Sequence, residues 1–481
     1  MTYSKKRLRE VTALKRAAVK KIQHDIGELD ASPSRKYIEE FNREFQTFQS
    51  VSTADTILQE ARNANLIWIG DYHALTKSQT YAADFVRRLS SDNRSIVLAV
   101  EPVFARSQKI LDRWMAGKIS EQEFLDRIRY QEDWGCDWDG YKTIFETARD
   151  LNIPVYGIDC HPRNDMRSIG RRDLGAARRI VRLIEENPSR TVVVIFGESH
   201  LASNHLPGKV HTILSRKGLA PRELTVLQNV DTIYWDLQEQ GIGDANAVKV
   251  IDGTYCVFNA TPIEKYESFR RYLHMCVEDD ACGDWTPLAQ TLTEVMMDFL
   301  AVKKADSVVS HIPTPESLDM NAATEEFARF IHQACRGELE KPAERTANDQ
   351  FFVSVIENAL GYFCSKLLDS SRDGIEPLAA RVLNQFGNDD QLVRSVTRLV
   401  DPARRPGMQH FEFLRAAVEA KAARQKTMRM LSQLLGYALG RRLYLAYLQS
   451  RISRTEIREI FHDPLNTPNR PLECYKELTY I

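Results

Sequence analysis

The sequence predicts an α/β protein: a mostly parallel sheet flanked by helices, with an N-terminal helical extension and an all-helical C-terminal domain. Three observations carry that expectation. Short apolar runs alternate with amphipathic helical patterns from about residue 61 to 262, the signature of crossover units and parallel pairing. Two of those runs end in the same phrase, Gly, an acidic residue, one spacer and His: Gly70-Asp71-Tyr72-His73 and Gly197-Glu198-Ser199-His200. Beyond 262 the periodicity is helical nearly throughout. The expected organisation is therefore residues 1–60, 61–262 and 263–481, since 481 residues exceed one ordinary core.

In chain order, Val11, Leu14, Ala18 and Ile22 recur at helix spacing among Lys and Arg, which gives the N-terminal helix. Leu66 to Ile69 is short, β-branched or aromatic, and ends at Gly70, so it reads as a buried strand. A helix follows with Tyr81, Phe85 and Leu89 on one face. Ser95 to Val100 is the next strand, ending at Glu101-Pro102. Helices are expected over roughly 104–116 and 120–130, then an aromatic, acidic loop from Trp134 to Tyr141. Tyr141, Ile144, Phe145, Ala148 and Leu151 form the stripe of another helix. Pro154 to Ile158 is a strand ending at Asp159-Cys160-His161. A basic helix covers about 170–186, and Thr191 to Phe196 is the strand that delivers the second phrase. Glu223–Gln228, Thr232–Trp235 and Tyr255–Ala260 are strand-like with short gaps, which predicts antiparallel edge strands. In the C-terminal part, long amphipathic runs occupy about 408–460, and Gly436 and Gly440 predict close helix–helix contact.

Composition narrows the function classes. Net charge is -1, with 27% charged and 43% hydrophobic residues, so no global bias points to nucleic acid or an anionic membrane. The eight cysteines include no C-x-x-C pair, which leaves reduced thiols as the expectation. The first thirty residues lack an apolar signal region, and no long uninterrupted apolar run predicts a membrane span. A cytoplasmic location is expected. Residues 263–481 carry no phosphate loop or metal-ligand cluster and read as a surface for a protein partner or a homo-oligomer.

Four predicted strands end in groups that metals or protons use: Asp71 with His73, Glu101, Asp159 with His161, and Glu198 with His200. Ligands of open α/β sheets bind past the carboxyl ends of the strands. Imidazoles with carboxylates suit Fe, Mn or Zn, which makes His73, Glu101, Asp159, His161 and His200 the candidate metal ligands. Glu101 and Glu198 are the candidate general bases for metal-assisted hydrolysis. Each residue also has a structural reading: buried histidines cap turns, and a carboxylate before Pro102 caps a helix. The basic helix carries Arg171, Arg172, Arg178, Arg179 and Arg182; arginine at its start could grip a carboxylate or phosphate, against a solvated face as the plainer account. His205 and His211 read as surface residues on a helix.

Together, Gly70 to His73, Val100-Glu101-Pro102, Trp134 through Tyr141 to Ala148, Pro154 to Asp159, and Gly197 to His200 resemble the ChaN-like haem-binding family over roughly residues 60–260. That family sits in a broader group with Tiki, TraB and erythromycin-esterase-like proteins. The resemblance implies an α/β core with a ligand pocket at the strand ends. It implies haem or iron handling, with metal-dependent hydrolysis as the Tiki and esterase-like alternative. A non-catalytic scaffold is the third. Its shared elements map onto His73, Glu101, Glu198 and His200. Asp71 stands where the usual pattern has Glu. No motif places a haem-ligating tyrosine; Tyr72 and Tyr141 are the candidates, with Trp134 to stack on a flat ligand and Arg171 to grip its acid groups.

Overall fold

In the computed structural model the description covers residues 3–29, 35–91, 95–160, 169–277, 286–302, 328, 330–333, 335, 345–368, 375–386, 390–400, 425–463 and 465–481. His161 and the run 408–424 lie outside those residues. The chain divides into two compact units. One is α/β and spans 23–238 and 242–282; the other holds residues 1–22, 239–241 and 283–481.

The α/β unit is built on an eight-stranded sheet: β1 (Ser50–Ser52), β2 (Leu66–Asp71), β3 (Ile96–Phe104), β4 (Val155–Asp159), β5 (Thr191–Gly197), β6 (Glu223–Gln228), β7 (Ala247–Ile251) and β8 (Thr254–Val257). Their order is β1-β7-β8-β6-β2-β5-β3-β4. Pairing from β8 through β4 is parallel; β7 is antiparallel to both β8 and β1. The central strands are apolar along their whole length because helices cover both faces. Ile67 and Ile69 enter one layer with Phe85, Phe124 and Phe145, while Leu66 and Trp68 enter the other with Ile180, Val210 and Ile233. Alternate residues point to opposite faces, so one strand feeds two cores.

The expected mostly parallel sheet flanked by helices is what the structure holds, with three differences. Thr232–Trp235 belongs to a helix, Asp231–Gln240, because Ile233 and Leu237 recur at helical spacing and are buried. Glu223–Gln228 is parallel to both its neighbours, and the antiparallel edge is made by β8, which holds Tyr255, with β7, and by β7 with β1, a three-residue strand too short to show a pattern. β3 runs through Glu101 and Pro102 to Phe104, crossing a bulge between Val100 and Phe104. Pro102 is tolerated where the ladder is already interrupted.

At the far edge, β4 is closed by a side chain. Gln108 Nε2 donates to the Val155 carbonyl at 2.9 Å, and Gly157 N donates to Gln108 Oε1 at 2.9 Å. One amide thus meets two of the backbone groups that a further strand would use.

The α/β unit ends on the helix Pro262–Val277. There Glu267 is buried beside Arg270, 2.5 Å away, and Arg270 also reaches Asp25 at 2.6 Å. Burial pushes the Glu267 carboxyl up to about 7, with Arg270 and Arg271 opposing. Its folded value exceeds the unfolded one, so its contribution is whole at acid pH and lost as pH rises through about 7. Glu267→Gln is therefore expected to gain on wild type between roughly pH 5 and pH 8. Urea midpoints at both pH values read this out, and a constant gap between the two proteins would contradict it.

In the helical unit, Ala347–Leu368 is long and apolar enough to cross a membrane by length and composition, yet it is buried as a core helix. It packs along Gln425–Leu448, where Gly436 and Gly440 make the close contact expected of them.

Candidate functional site

The sheet order sets β2, β5, β3 and β4 side by side. Gly70 pairs with Phe196 and Asp71 with Gly197, so the two Gly-x-x-His phrases leave adjacent strands at the same level. The four polar strand ends read from the sequence therefore share one edge.

His73 anchors the first cluster. Its Nδ1 lies 2.8 Å from Asp71 Oδ2. Asp71 is 4% exposed; it also accepts from Tyr141 Oη at 2.5 Å and from Gln79 Nε2 at 2.5 Å. A carboxylate only accepts, so Nδ1 carries the hydrogen and Nε2 is the imidazole's basic nitrogen. Nε2 lies 3.7 Å from Glu101 Oε2, and the side chain is 33% exposed. The Trp134 ring stands 4.5 Å away, tilted by 57°. Burial, then the charge of Asp71, pushes the Tyr141 phenol far up, which keeps it a donor.

Glu101 is fixed from two sides. Arg172 Nη2 donates to its Oε1 at 2.9 Å, and the Gly197 amide donates to its Oε2 at 2.7 Å. Arg172 also grips Asp159 through Nε at 3.1 Å and Nη2 at 2.8 Å. Burial would lower the Arg172 pKa; Glu101 and Asp159 outweigh it and raise it. Glycine at 197 lets these side chains sit close. A Cβ there would come within 3.1 Å of the His73 ring and 3.3 Å of Glu101 Oε2.

Tyr72, Glu198 and His200 lie elsewhere. His200 is buried, with Nδ1 2.6 Å from Asp173 Oδ1. Burial would raise the Asp173 carboxyl, but His200 and then Tyr37 hold it down. Glu198 Oε1 pairs with Lys265 Nζ at 2.8 Å, and Lys265 also nears Asp231 at 3.6 Å. Burial raises the Glu198 carboxyl despite that lysine. Tyr72 lies under Lys265, whose Nζ is 4.8 Å from the ring centroid, and burial raises its phenol. Asp159 spends both oxygens on Arg172. Arg171 is exposed, one step round the helix from the inward Arg172. Trp134 packs on His73 and Tyr141, while Trp138 joins Trp114, Phe124 and Phe145 in the core. His211 is exposed as expected; His205 is 2% exposed and is no surface residue.

The structure thus brings together Asp71, His73, Glu101, Trp134, Tyr141 and Asp159, and binds His200 and Glu198 into separate networks. Gln79, Arg172, Asp173 and Lys265 complete these networks. The first three were readable only by helical phase: Arg172 and Asp173 precede the buried Ala176, Ala177 and Ile180 at helix spacing. Among the described residues, the group of three donor atoms close enough for one metal ion is Asp463, Cys474 and Glu477. Arg470 already bonds Asp463 and Glu477, so a cation is in place there.

Residues 57–179 match the family model described as haem-binding uptake, Tiki superfamily, ChaN, which is the family the residues resemble. No curated protein matches. Two solved structures are similar. One, of ChaN from Campylobacter jejuni with cofacially bound haem, is 13% identical and has a TM-score of 0.28, covering 38% of this chain and 93% of that one. The other, the type III effector HopBA1, is 15% identical with a TM-score of 0.32, covering 45% of this chain and 98% of that one.

Proposed function

We propose that the α/β unit binds haem at the carboxyl edge of β2, β5 and β3, with His73 as the iron ligand through Nε2. The observation that carries this reading is the Asp71–His73 pair. A buried carboxylate holds Nδ1 at 2.8 Å, while the ring keeps a third of its surface exposed. Metal-binding histidines are oriented in this way, the second nitrogen donating to a carboxylate that fixes the ring and raises its basicity. Tyr141 and Gln79 hold the carboxylate in turn. Trp134 offers an aromatic wall beside the ring. The family match supports the reading, because residues 57–179 contain His73, Glu101, Trp134 and Tyr141.

The residues fit haem through His73 and not through tyrosine. Tyr141 is 1% exposed with its hydroxyl on Asp71, and Tyr72 is packed beneath Lys265. Bound haem would supply an iron centre for redox or ligand-binding chemistry, and His73 would hold it through Nε2.

Hydrolysis is the second reading, and Glu101 is what favours it. Arg172 and the Gly197 amide hold this carboxylate in place 3.7 Å from Nε2. The pair could hold a divalent ion, or could share a proton with a substrate.

Haemin titration of wild type, His73→Ala and Glu101→Gln separates the readings, with metal analysis of the same samples. Haem binding predicts a saturable Soret shift in wild type, at least about tenfold weaker in His73→Ala and kept in Glu101→Gln. Stoichiometric divalent metal that both substitutions remove, with no Soret shift, would favour hydrolysis. Neither signal would sink both and leave a scaffold.

A further inference from the structure

The second histidine lies under a helix. Arg35–Glu44 packs on the turn Glu198–Leu201 that carries His200. Tyr37 Oη donates to Asp173 Oδ2 at 2.6 Å, and Asp173 Oδ1 meets His200. Glu44 accepts from the Ser203 amide at 2.9 Å and from its hydroxyl at 3.0 Å. Phe41 and Phe45 enter the apolar layer below.

The centre of this contact is His205. The Tyr37 ring stacks on it at 3.6 Å and 15°. Its Nδ1 lies 2.7 Å from the Ser199 carbonyl, and its Nε2 lies 2.7 Å from Glu40 Oε2. A carbonyl and a carboxylate both accept and neither donates. A neutral imidazole has one N–H and satisfies one of them. Both contacts together require the doubly protonated ring, with Glu40 as its counter-charge. Deprotonation strands either the Ser199 carbonyl or the Glu40 carboxylate opposite a lone pair.

We infer that Arg35–Glu44 is a proton-locked strap over the His200–Asp173 pair, fastened while His205 is protonated and loosened as it loses its proton. The inference holds whichever ligand the His73 cluster takes. The charged and titratable groups around the lock are Glu40, Tyr37 and Lys36 on the strap, His200 on the turn, Asp173 on Ile169–Glu186, and Lys209 on Leu206–Arg216. Lys36 is 3.9 Å from Glu40, and Lys209 Nζ lies 3.4 Å from Asp173 and 3.5 Å from the His205 carbonyl. His205, hydrogen-bonded to Glu40, holds that carboxyl below its usual range.

Glu40→Gln makes the test sharp. A glutamine amide can donate to Nε2 of a neutral ring while Nδ1–H still donates to Ser199, so every atom is satisfied without a proton to lose. Amide hydrogen exchange over residues 36–45, expressed relative to unstructured rates, is measured from about pH 6 to about pH 8.5. Wild type is expected to lose protection by roughly tenfold or more across that range, the scale of one charged hydrogen bond. Glu40→Gln is expected to keep its protection throughout, and His205→Ala to lack it throughout. Flat wild-type protection, or the same loss in Glu40→Gln, would overturn the inference. So would a pH dependence abolished by His200→Gln, which would place the titration on the His200–Asp173 pair.

Discussion

Arg172→Met is expected to cost the α/β unit about 3–5 kcal/mol, the scale for removing one partner from a buried ion cluster. Arg172 is 7% exposed, and it is the cation between Glu101, at 2%, and Asp159, at 0%. Methionine fills much of the same volume, so the loss measured is chiefly electrostatic. Two carboxylates would be left close together in a medium that solvates neither, and one would take up a proton. Adding Glu101→Gln and Asp159→Asn to the same chain is expected to recover most of the loss, because no buried charge then lacks a partner. Urea denaturation of the three proteins at neutral pH checks this. A wild-type midpoint for Arg172→Met would show that the cluster is wetter than its burial indicates.

Gly440→Val is expected to be comparably severe in the helical unit. A Cβ at Gly440 would stand 2.4 Å from the Ala359 carbonyl oxygen and 2.8 Å from Tyr362 Cβ. One helical turn earlier, a Cβ at Gly436 would stand 2.4 Å from Asn358 Cβ and 2.7 Å from the Val355 carbonyl oxygen. The obstacles are mostly backbone, which cannot rotate aside as a side chain can. The helices Ala347–Leu368 and Gln425–Leu448 must separate, opening the interface in which Tyr362 meets Tyr437 and Phe363 meets Tyr444 and Tyr447. Overpacking alone costs about 1–3 kcal/mol, and a forced helix separation lies at or above the top of that range. Gly27→Ala is the control: nothing lies within 4 Å of its Cβ position, so that change should gain up to about 1 kcal/mol. Thermal melts followed by circular dichroism separate the two. Equal melting points for Gly440→Val and wild type would mean the helices are not in contact there.

Much of this was legible in the sequence because the relevant signals are local. Apolar runs at β2, β3, β4 and β5 end in Gly or an acid, and the structure sets those four strands side by side. His73 and Glu101 could be picked out because each comes just after an apolar run in the sequence. The partners could not. Asp173 and Arg172 sit on a helix whose basic residues mask an inward polar pair, and Lys265 comes from a helix well past the second phrase. His205 reads as an exposed helical residue unless one knows that Tyr37, Glu40 and Glu44, over 150 residues earlier in the chain, lie across it. Which of two adjacent arginines turns inward is a question of helical phase. Where a histidine's second nitrogen points is a question of tertiary packing. Neither is written in spacing alone. The repeated phrase also promised two equivalent histidines, whereas the fold gives them different companions: Asp71, Tyr141 and Trp134 for one, Asp173, Tyr37 and Phe196 for the other.

The Gln108 amide on β4 bears on how copies of this chain can meet. A sheet edge is a template on which a neighbouring molecule's strand can be laid, and exposed edges are where proteins join into ribbons. Here the Val155 carbonyl and the Gly157 amide are already answered by one side chain. A second molecule arriving at β4 would have to evict that amide before gaining its first backbone bond. Self-association by continuing the sheet past β4 is thereby disfavoured. Replacing Gln108 with alanine would leave both backbone groups unanswered and turn a sealed border into an adhesive one.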